Sequence, residues 1–351
     1  MLRTLIRLSD GREISSGSGT AMNIRSCTVT QCCNSGEELT IGSVCAACVE
    51  IVLQAPDNTL RAEDVFTLYK VDDTGASTQI GIFNVDTVQR KGDHLWKITA
   101  YDNIIKLDVD LAEWLTEYVA AIPQDPTRVI GDVCDRCGVR VGAYPDYHST
   151  YHQISQFIPS GRVTGRKLLQ WIAEILGYFC IADSEGYICF DWYRDNTKVV
   201  LSASGSRYRL QGTYRYKNEI LPIDAVKAVL DNGIFGRSPA EHFPSNQYVI
   251  RNNPFLGNKS SMHLRGIAEI IMNRLAADSE RFLDGGLGQL VACDVSTPAT
   301  LDIRVGDIII VDAQDPEDMQ RSYKNYMRVM TKIQSGQKDT LQCVGSYRRK
   351  N

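Results

Sequence analysis

Four residues in the middle of the chain have a spacing that could bind zinc. Two residues separate Cys134 from Cys137, and three separate His148 from His152. Thiolates and imidazoles spaced in this way can complete a tetrahedron around the ion. The gap between the two pairs is ten residues, whereas a finger with this set of ligands has about twelve.

The surrounding sequence favours a different interpretation of these four residues. Cys134 and Cys137 fall within a pattern that predicts a helix with an apolar face, whereas the cysteines of a zinc finger lie on its hairpin. Pro145 also precedes the two histidines. We therefore predict a packed helix followed by an exposed polar loop, with a zinc site as the alternative.

Cys45 and Cys48 have the spacing of a redox-active pair. Such a pair needs its first thiol at the N-terminus of a helix, where the pKa of the thiol is lowered. These two cysteines lie instead in a strand-rich region. We predict that most of the eleven cysteines are reduced and behave as small apolar core residues.

Other possible sites are equally weak. The glycine clusters at residues 17–19 and 285–288 lack the Lys-Ser/Thr pair of a phosphate-binding loop. Residues 315–318 form an acidic loop, interpreted as a solvated turn with ion binding as the alternative. The sequence contains no Gly-x-Ser-x-Gly elbow and no His-Glu-x-x-His motif. We predict that the chain is not an enzyme and has no catalytic residues, cofactor or metal ligands.

The composition is that of an ordinary globular protein, since 43% of the 351 residues are hydrophobic and 23% are charged. A formal net charge of −4 is too small and too mixed in sign for a dedicated nucleic-acid-binding protein. No apolar run approaches the roughly 18 residues that span a bilayer, and the N-terminus lacks the apolar core of a secretory signal. We expect synthesis in the cytoplasm and no stable association with a membrane.

Residues 1–111 have the pattern of a β domain. Alternation predicts a half-buried strand at residues 23–30, in which Ile24 and Ser26 share one face and Cys27 lies on the other. Turn signals containing glycine, proline, asparagine or aspartate recur between short strand-like runs. An antiparallel meander or a small barrel is expected here.

Residues 112–200 have the pattern of an α/β domain. A helix is predicted at residues 125–137, where aspartate is followed by proline at the first helical position. Thr164 can cap a second helix that ends at Gly177. Residues 178–192 then predict a β-hairpin.

Strand-like runs return in residues 201–247 and 288–351, which are predicted to form a second β domain. One of these runs covers residues 223–230. Residues 248–287 are predicted to be a small insertion, with an amphipathic helix at residues 263–277. The predicted fold class is therefore α+β and predominantly β.

Several stretches match the pattern of one known family. Residues 39–53 (LTIGSVCAACVEIVL) combine a glycine-marked turn with an alternating strand. Residues 81–86 (GIFNVD) form a strand of the type G-x-(F/Y)-x-V, and residues 96–103 (WKITAYDN) close in an Ala-aromatic-Asp turn. Each of these pieces is short, and none carries a catalytic signature.

Two later stretches extend the pattern. Residues 165–177 (GRKLLQWIAEILG) lead into a hairpin that ends at residues 190–192 (FDW), and residues 301–311 (LDIRVGDIIIV) enter a strand through Gly-Asp. Together, and in order over residues 2–347, these pieces resemble the baseplate hub or tail-tip hub proteins of tailed bacteriophages. That family is also related to the hubs of contractile injection machines.

The resemblance implies two β-barrel domains, each associated with an α/β domain. It implies a homotrimer, whose barrels form a ring of near-sixfold symmetry. The ring would join the tail tube or a distal tail ring protein above to spike, fibre or receptor-binding proteins below. DNA would move through the lumen of the ring during ejection and would contact it only in passing. The chain would be located in the virion tail.

A carbohydrate-binding or carbohydrate-cleaving module of a phage adsorption apparatus is the alternative function. Tyr144, Tyr147 and Tyr151 lie in one predicted loop, and exposed aromatic rings of this kind can hold sugars. A trimer in solution would favour the hub over this alternative.

Overall fold

A computed structural model describes residues 2–17, 22–34, 39–56, 60–118, 124–154, 160–202, 209–210, 215–240, 244–283, 289–314 and 322–347. In this part of the chain, thirteen strands form one large sheet, and two sheets of three strands lie beside it. The predicted α+β class with a predominance of β structure is confirmed. Among the described residues, no helix combines the length and the apolar character needed to cross a membrane.

Seven N-terminal strands form the first part of the large sheet. They are β1 (Arg3–Leu8), β2 (Glu13–Ser15), β3 (Asn23–Cys32), β4 (Cys48–Gln54), β5 (Val65–Val71), β6 (Ser77–Gly92) and β7 (Leu95–Tyr101). Each strand is antiparallel to its neighbour in the order β3-β4-β7-β6-β5-β1-β2. Ile51, Leu53, Phe66 and Ile98 lie in their shared core. The expected antiparallel arrangement is present, and closure into a barrel stays a prediction.

The alternation predicted for β3 is wrong at its start. The register with β4 shifts between Ile24 and Ser26, which marks a β-bulge. Because the bulge inserts one residue, Ile24 and Cys27 are both buried while Arg25 and Ser26 are both exposed. Strict period-two alternation had placed Ile24 and Cys27 on opposite faces.

Local signals set the boundaries of the helices. They are α1 (Ala112–Tyr118), α2 (Pro126–Arg136) and α3 (Gly165–Leu176). The carboxylate of Asp125 accepts a hydrogen bond from the N–H of Thr127 at 2.8 Å, and the hydroxyl of Thr164 accepts one from Lys167 at 3.2 Å. Gly177 ends α3 with a φ of 73°. The predicted N-caps of α2 and α3 and the glycine end of α3 are confirmed.

The predicted hairpin after α3 is also confirmed. It consists of β9 (Phe179–Ala182) and β10 (Ile188–Asp191), and β10 also pairs in parallel with β8 (Val141–Ala143). The carboxylate of Asp183 accepts hydrogen bonds from the N–H groups of Glu185 and Tyr187, which closes the turn. Helices α2 and α3 pack beside this sheet and share a core with it.

The second part of the large sheet contains six strands. They are β11 (Arg194–Ser202), β12 (Arg215–Ile220), β16 (Gln289–Pro298), β17 (Asp307–Gln314), β18 (Ser322–Ser335) and β19 (Lys338–Tyr347). Strand β18 pairs with β19 and β17, and its C-terminal half also pairs with β3. This last pairing joins both parts into one sheet. Strand β11, which follows the hairpin directly, pairs in parallel with β17.

The second three-stranded sheet lies between β12 and β16 in the sequence. It consists of β13 (Ala225–Val229), β14 (Phe235–Ser238) and β15 (Gln247–Ile250), with β13 in the centre, and it packs against α4 (Ser261–Leu283). The strand predicted at residues 223–230 is therefore present, but it joins β14 and β15 and not the large sheet. Its residues Val226 and Ala228 share a core with Ile267 of α4, which explains this choice of partners.

Candidate interaction surface

The four residues with zinc-like spacing do not come together. Cys134 and Cys137 face the core that α2 and α3 share. This core is tightly packed, since a Cβ atom added to Gly165 would lie 2.6 Å from the sulfur of Cys137. Burial raises the pKa of Cys134 to about 12 and that of Cys137 to about 11, which disfavours the thiolates that bind metal. Within the described ranges, no group of three histidine, cysteine or acidic side chains could hold a metal ion.

The two histidines occupy different environments. His148 is exposed and stacks on Tyr151, with ring centroids 4.3 Å apart. His152 is only 1% exposed, and its Nδ1 accepts a hydrogen bond from the N–H of His148 at 2.9 Å. The prediction of an exposed loop is therefore wrong for His152, because this side chain folds back under the turn that carries it.

Cys45 and Cys48 are also separated in the structure. The N–H of Cys45 donates to the carbonyl of Cys180 at 3.2 Å, while Cys48 begins β4. The nearby thiol of Cys32, at the end of β3, raises the pKa of Cys45, and burial raises it further. The neighbour of Cys45 is thus a cysteine that the two-residue spacing does not indicate.

The three tyrosines of the proposed sugar platform face different surroundings. Tyr144 is 50% exposed. Tyr147 donates a hydrogen bond to Asp125 at the start of α2, and the ring of Tyr151 lies between His148 and His263. Only Tyr144 of the three is therefore strongly exposed. The acidic loop at residues 315–318 and the glycines at 285–288 lie outside the described residues.

An exposed surface on the small sheet is the strongest candidate for a functional site. It consists of Lys227, Phe235, Arg237, Met262 and Arg265, and we call it the β14–α4 surface. Phe235 is 49% exposed and Met262 is 65% exposed, although both are large and apolar. Exposed apolar side chains that cluster beside polar ones are typical of protein interaction sites.

Close packing of β14 on α4 brings these residues together. A Cβ on Gly236 would lie 2.0 Å from the backbone nitrogen of Arg265, so only glycine allows the strand to approach the helix this closely. Phe235 and Arg237 flank this glycine on β14, and Met262 lies in the first turn of α4. Strand β14 is also an edge strand, since its only partner among the described strands is β13.

The β14–α4 surface is positively charged. The ammonium of Lys227 lies 4.2 Å from the centre of the Phe235 ring, and Arg237 donates to the carbonyl of Ala240 at 2.6 Å. Three of the described residues that line the surface carry a positive charge, and none of those residues carries a carboxylate. A protein surface with apolar and acidic groups would complement it.

Sequence patterns did not indicate this surface. Phe235 and Met262 are 27 positions apart in the chain, and each alone resembles an ordinary core residue. Two features of the sequence could have indicated the surface: the turn signal at residues 231–233 and Gly236. A glycine within a strand often marks the close approach of another backbone.

Comparisons with known proteins find similarity of fold. No protein-family model and no curated protein sequence matches the chain. The 43 kDa tail protein of prophage MuSo2 from Shewanella oneidensis is 11% identical, with a TM-score of 0.60 over 97% of each chain. A tail protein from Neisseria meningitidis MC58 is 10% identical, with a TM-score of 0.56 over 98% of this chain and 96% of that chain.

A chain of the Francisella PdpA-VgrG complex is also similar in structure. It is 7% identical, with a TM-score of 0.51 over 98% of this chain and 58% of that chain. The similarity to the two tail proteins covers nearly the full length of all three chains. The predicted resemblance to phage tail proteins is thus confirmed at the level of the fold.

Proposed function

We propose that this protein is a structural component of a bacteriophage tail and that it acts without catalysis. The observation that supports the proposal is the correspondence with the MuSo2 tail protein, which extends over 97% of both chains at a TM-score of 0.60. A match of this extent covers both parts of the large sheet and the helices beside it. Shared architecture over the whole chain favours a shared structural role.

Our specific proposal is a homotrimeric hub at the tail tip or baseplate. We assign the first β-barrel domain to residues 1–111, an α/β domain to 112–200 and the second β-barrel domain to 201–247 and 288–351, with the insertion at 248–287. Strands β13 and β14 fall within the second barrel domain in sequence but pair in the small sheet outside the large one. The division of the large sheet into two strand groups supports two barrels in each chain. Three copies would then surround a channel for DNA.

In this proposal the hub joins two other layers of the tail. The tail tube or a distal tail ring protein lies above it, and spike, fibre or receptor-binding proteins lie below. The ring converts the sixfold symmetry of the tube into the threefold symmetry of a spike. DNA makes passing contact with the lumen, which agrees with the small net charge of −4.

We assign the β14–α4 surface to the contact between copies of this chain. Its three cations are opposite in sign to the net charge of −4, so the remaining surface of each copy is on balance acidic. Phe235 and Met262 supply the apolar area that a stable contact needs at its centre. A second copy therefore complements this surface in charge.

The mass of the protein in solution tests the hub proposal. Light scattering coupled to size-exclusion chromatography is expected to give three times the chain mass of 39.2 kDa. Electron microscopy of the same sample is expected to show closed rings with a central channel. A monomer that forms no ring at any concentration up to the limit of solubility contradicts the proposal.

A further inference from the structure

Cys293 of β16 and Cys343 of β19 lie directly opposite each other. The register of this antiparallel pair runs without a shift from Gln289 opposite Tyr347 to Pro298 opposite Lys338. The Cα atoms of directly opposite residues are about 4.5–5.5 Å apart. A disulfide requires about 4.4–6.8 Å between its Cα atoms, so the backbone already meets this condition.

The two side chains also point into the same core. Cys293 is 1% exposed and Cys343 is 2% exposed, and both belong to the cluster between β16, β18 and β19. The sulfur of Cys293 lies 3.4 Å from the sulfur of Met327 in that cluster. The proximity of Cys293 raises the pKa of the Cys343 thiol, and burial raises it further. Neither side chain has to leave the core to reach its partner.

A cavity lies next to this pair of residues, on the opposite face of the two strands. It has a volume of about 340 Å³ and is lined by Cys293, Cys343 and Cys32, among other residues. Lys217, which also lines it, is exposed and forms an ion pair with Asp294 at 3.0 Å. The cavity therefore borders the backbone of β16 and β19, and the buried sulfur atoms lie in the core on the other face of the two strands.

We propose that Cys293 and Cys343 form a reversible cross-strand disulfide when the protein enters an oxidising environment. The oxidant is a small disulfide, R–S–S–R. The thiolate of one cysteine attacks it and releases R–S⁻, and the second thiolate then displaces another R–S⁻ from the mixed disulfide. The two thiol protons pass to the released thiolates, so two cysteines are oxidised and one R–S–S–R is reduced to two R–SH.

The bond would link two neighbouring strands, β16 and β19, which enclose β17 and β18 in the sequence. Residues 293–343 contain β17 and β18, and β18 carries the pairing with β3. Closing this segment restricts the unfolded chain and therefore stabilises the folded one. The inference is independent of the proposed function, because it requires only a reducing and an oxidising environment.

Oxidation of the purified full-length protein tests the inference. The protein is incubated with 2-hydroxyethyl disulfide, the remaining thiols are blocked with N-ethylmaleimide, and tryptic peptides are analysed without reduction. The proximity of Cys293 and burial both raise the pKa of Cys343, so long incubation is needed. Trypsin cleaves at Arg304 and Lys338, which places the two cysteines in separate peptides unless they are bonded.

The expected result is one peptide pair that contains Cys293 and Cys343 and separates on reduction. Oxidation is also expected to raise the melting temperature of the wild type by a few degrees, and this rise should be absent in Cys343→Ser. Cys32→Ser is the matched control, because it removes the neighbouring cavity thiol and leaves the pair intact.

Two results would overturn the inference. One is complete labelling of both cysteines by N-ethylmaleimide after oxidation and unfolding. The other is a cross-link from Cys293 or Cys343 to Cys32. If Cys343→Ser does not fold, Cys343→Ala replaces it, and the peptide analysis of the wild type decides the question without either variant.

Discussion

Burial affects the chemistry of individual side chains in this protein more than their neighbours in the sequence do. His152 illustrates this, because the spacing to His148 indicates a metal ligand and the structure uses the ring as a buried hydrogen-bond acceptor. Burial and, to a smaller extent, the charge of Lys259 lower the pKa of His152 to about 4. The folded protein therefore holds this ring in its neutral form at neutral pH.

The burial of His152 makes stability depend on pH. The unfolded chain takes up a proton on this residue near pH 6.5, whereas the folded chain does so only near pH 4. The contribution of neutral His152 to the free energy of unfolding is thus fully present above pH 6.5 and is lost as the pH falls from 6.5 to 4. We expect the free energy of unfolding in urea to decrease over this range, by at most about 1.4 kcal/mol per pH unit from this residue.

Two variants separate His152 from the other titrating groups. His152→Asn keeps an acceptor for the N–H of His148 and has no proton to gain, so its stability should depend less on pH between 4 and 6.5. His94→Asn, which replaces an exposed histidine, is the matched control for the substitution itself. Equal slopes for His152→Asn and the wild type would rule out this role.

At the scale of the elements, local sequence determines where helices end and where the chain turns, but it does not determine which other elements they contact. Gly177 ends α3 with a φ of 73°, which favours glycine in any protein. The same glycine also faces α4, since a Cβ there would lie 3.0 Å from Cγ1 of Ile271. It therefore combines a local requirement of the backbone with a contact between two helices.

Replacement of two glycines by alanine should separate these contributions. Gly75 has a similar φ of 87°, but a Cβ there meets nothing within 4 Å. We expect Gly75→Ala to lower the free energy of unfolding by about 1 kcal/mol for the backbone alone. Gly177→Ala should lower it by about 2–4 kcal/mol, because the contact with Ile271 adds to the strain. Urea unfolding gives both values, and equal losses would exclude a contribution from the contact.

The whole molecule is organised around one sheet whose two parts meet at β3 and β18. Thr331 of β18 lies opposite Cys32 of β3, although the two residues are far apart in the chain. The α/β layer and the small sheet with α4 share a single core beside this sheet. This arrangement leaves the β14–α4 surface exposed.

Assembly should depend on the β14–α4 surface. Phe235→Ser combined with Met262→Ser is expected to weaken association at least tenfold, because loss of about 1.4 kcal/mol suffices for this change. The melting temperature should change little, since both side chains are largely exposed. Sedimentation equilibrium measures the association constant.

Val109→Ser is the matched control for this pair of variants. Val109 is 50% exposed and lies outside the surface. An unchanged trimer in the double variant would show that copies meet elsewhere, without affecting the hub proposal. A wild type that is monomeric contradicts the hub proposal itself.

Local sequence patterns were sufficient to predict the α+β class, the caps at Asp125, Thr164 and Gly177, and the hairpin at residues 178–192. These features depend on residues a few positions apart, so the local pattern contains the physical cause. Several short stretches also resemble those of phage hub proteins and occur in the same order. This resemblance indicated the fold that the chain shares with phage tail proteins.

Packing in three dimensions, by contrast, selects which distant residues meet. It placed Cys293 opposite Cys343, buried His152, inserted the bulge after Ile24 and assigned β13 to the small sheet. Each of these outcomes depends on packing between segments far apart in the chain, where many partners have similar local preferences. Alternation and spacing describe one segment at a time, and the energy that selects among partners comes from the core they form together.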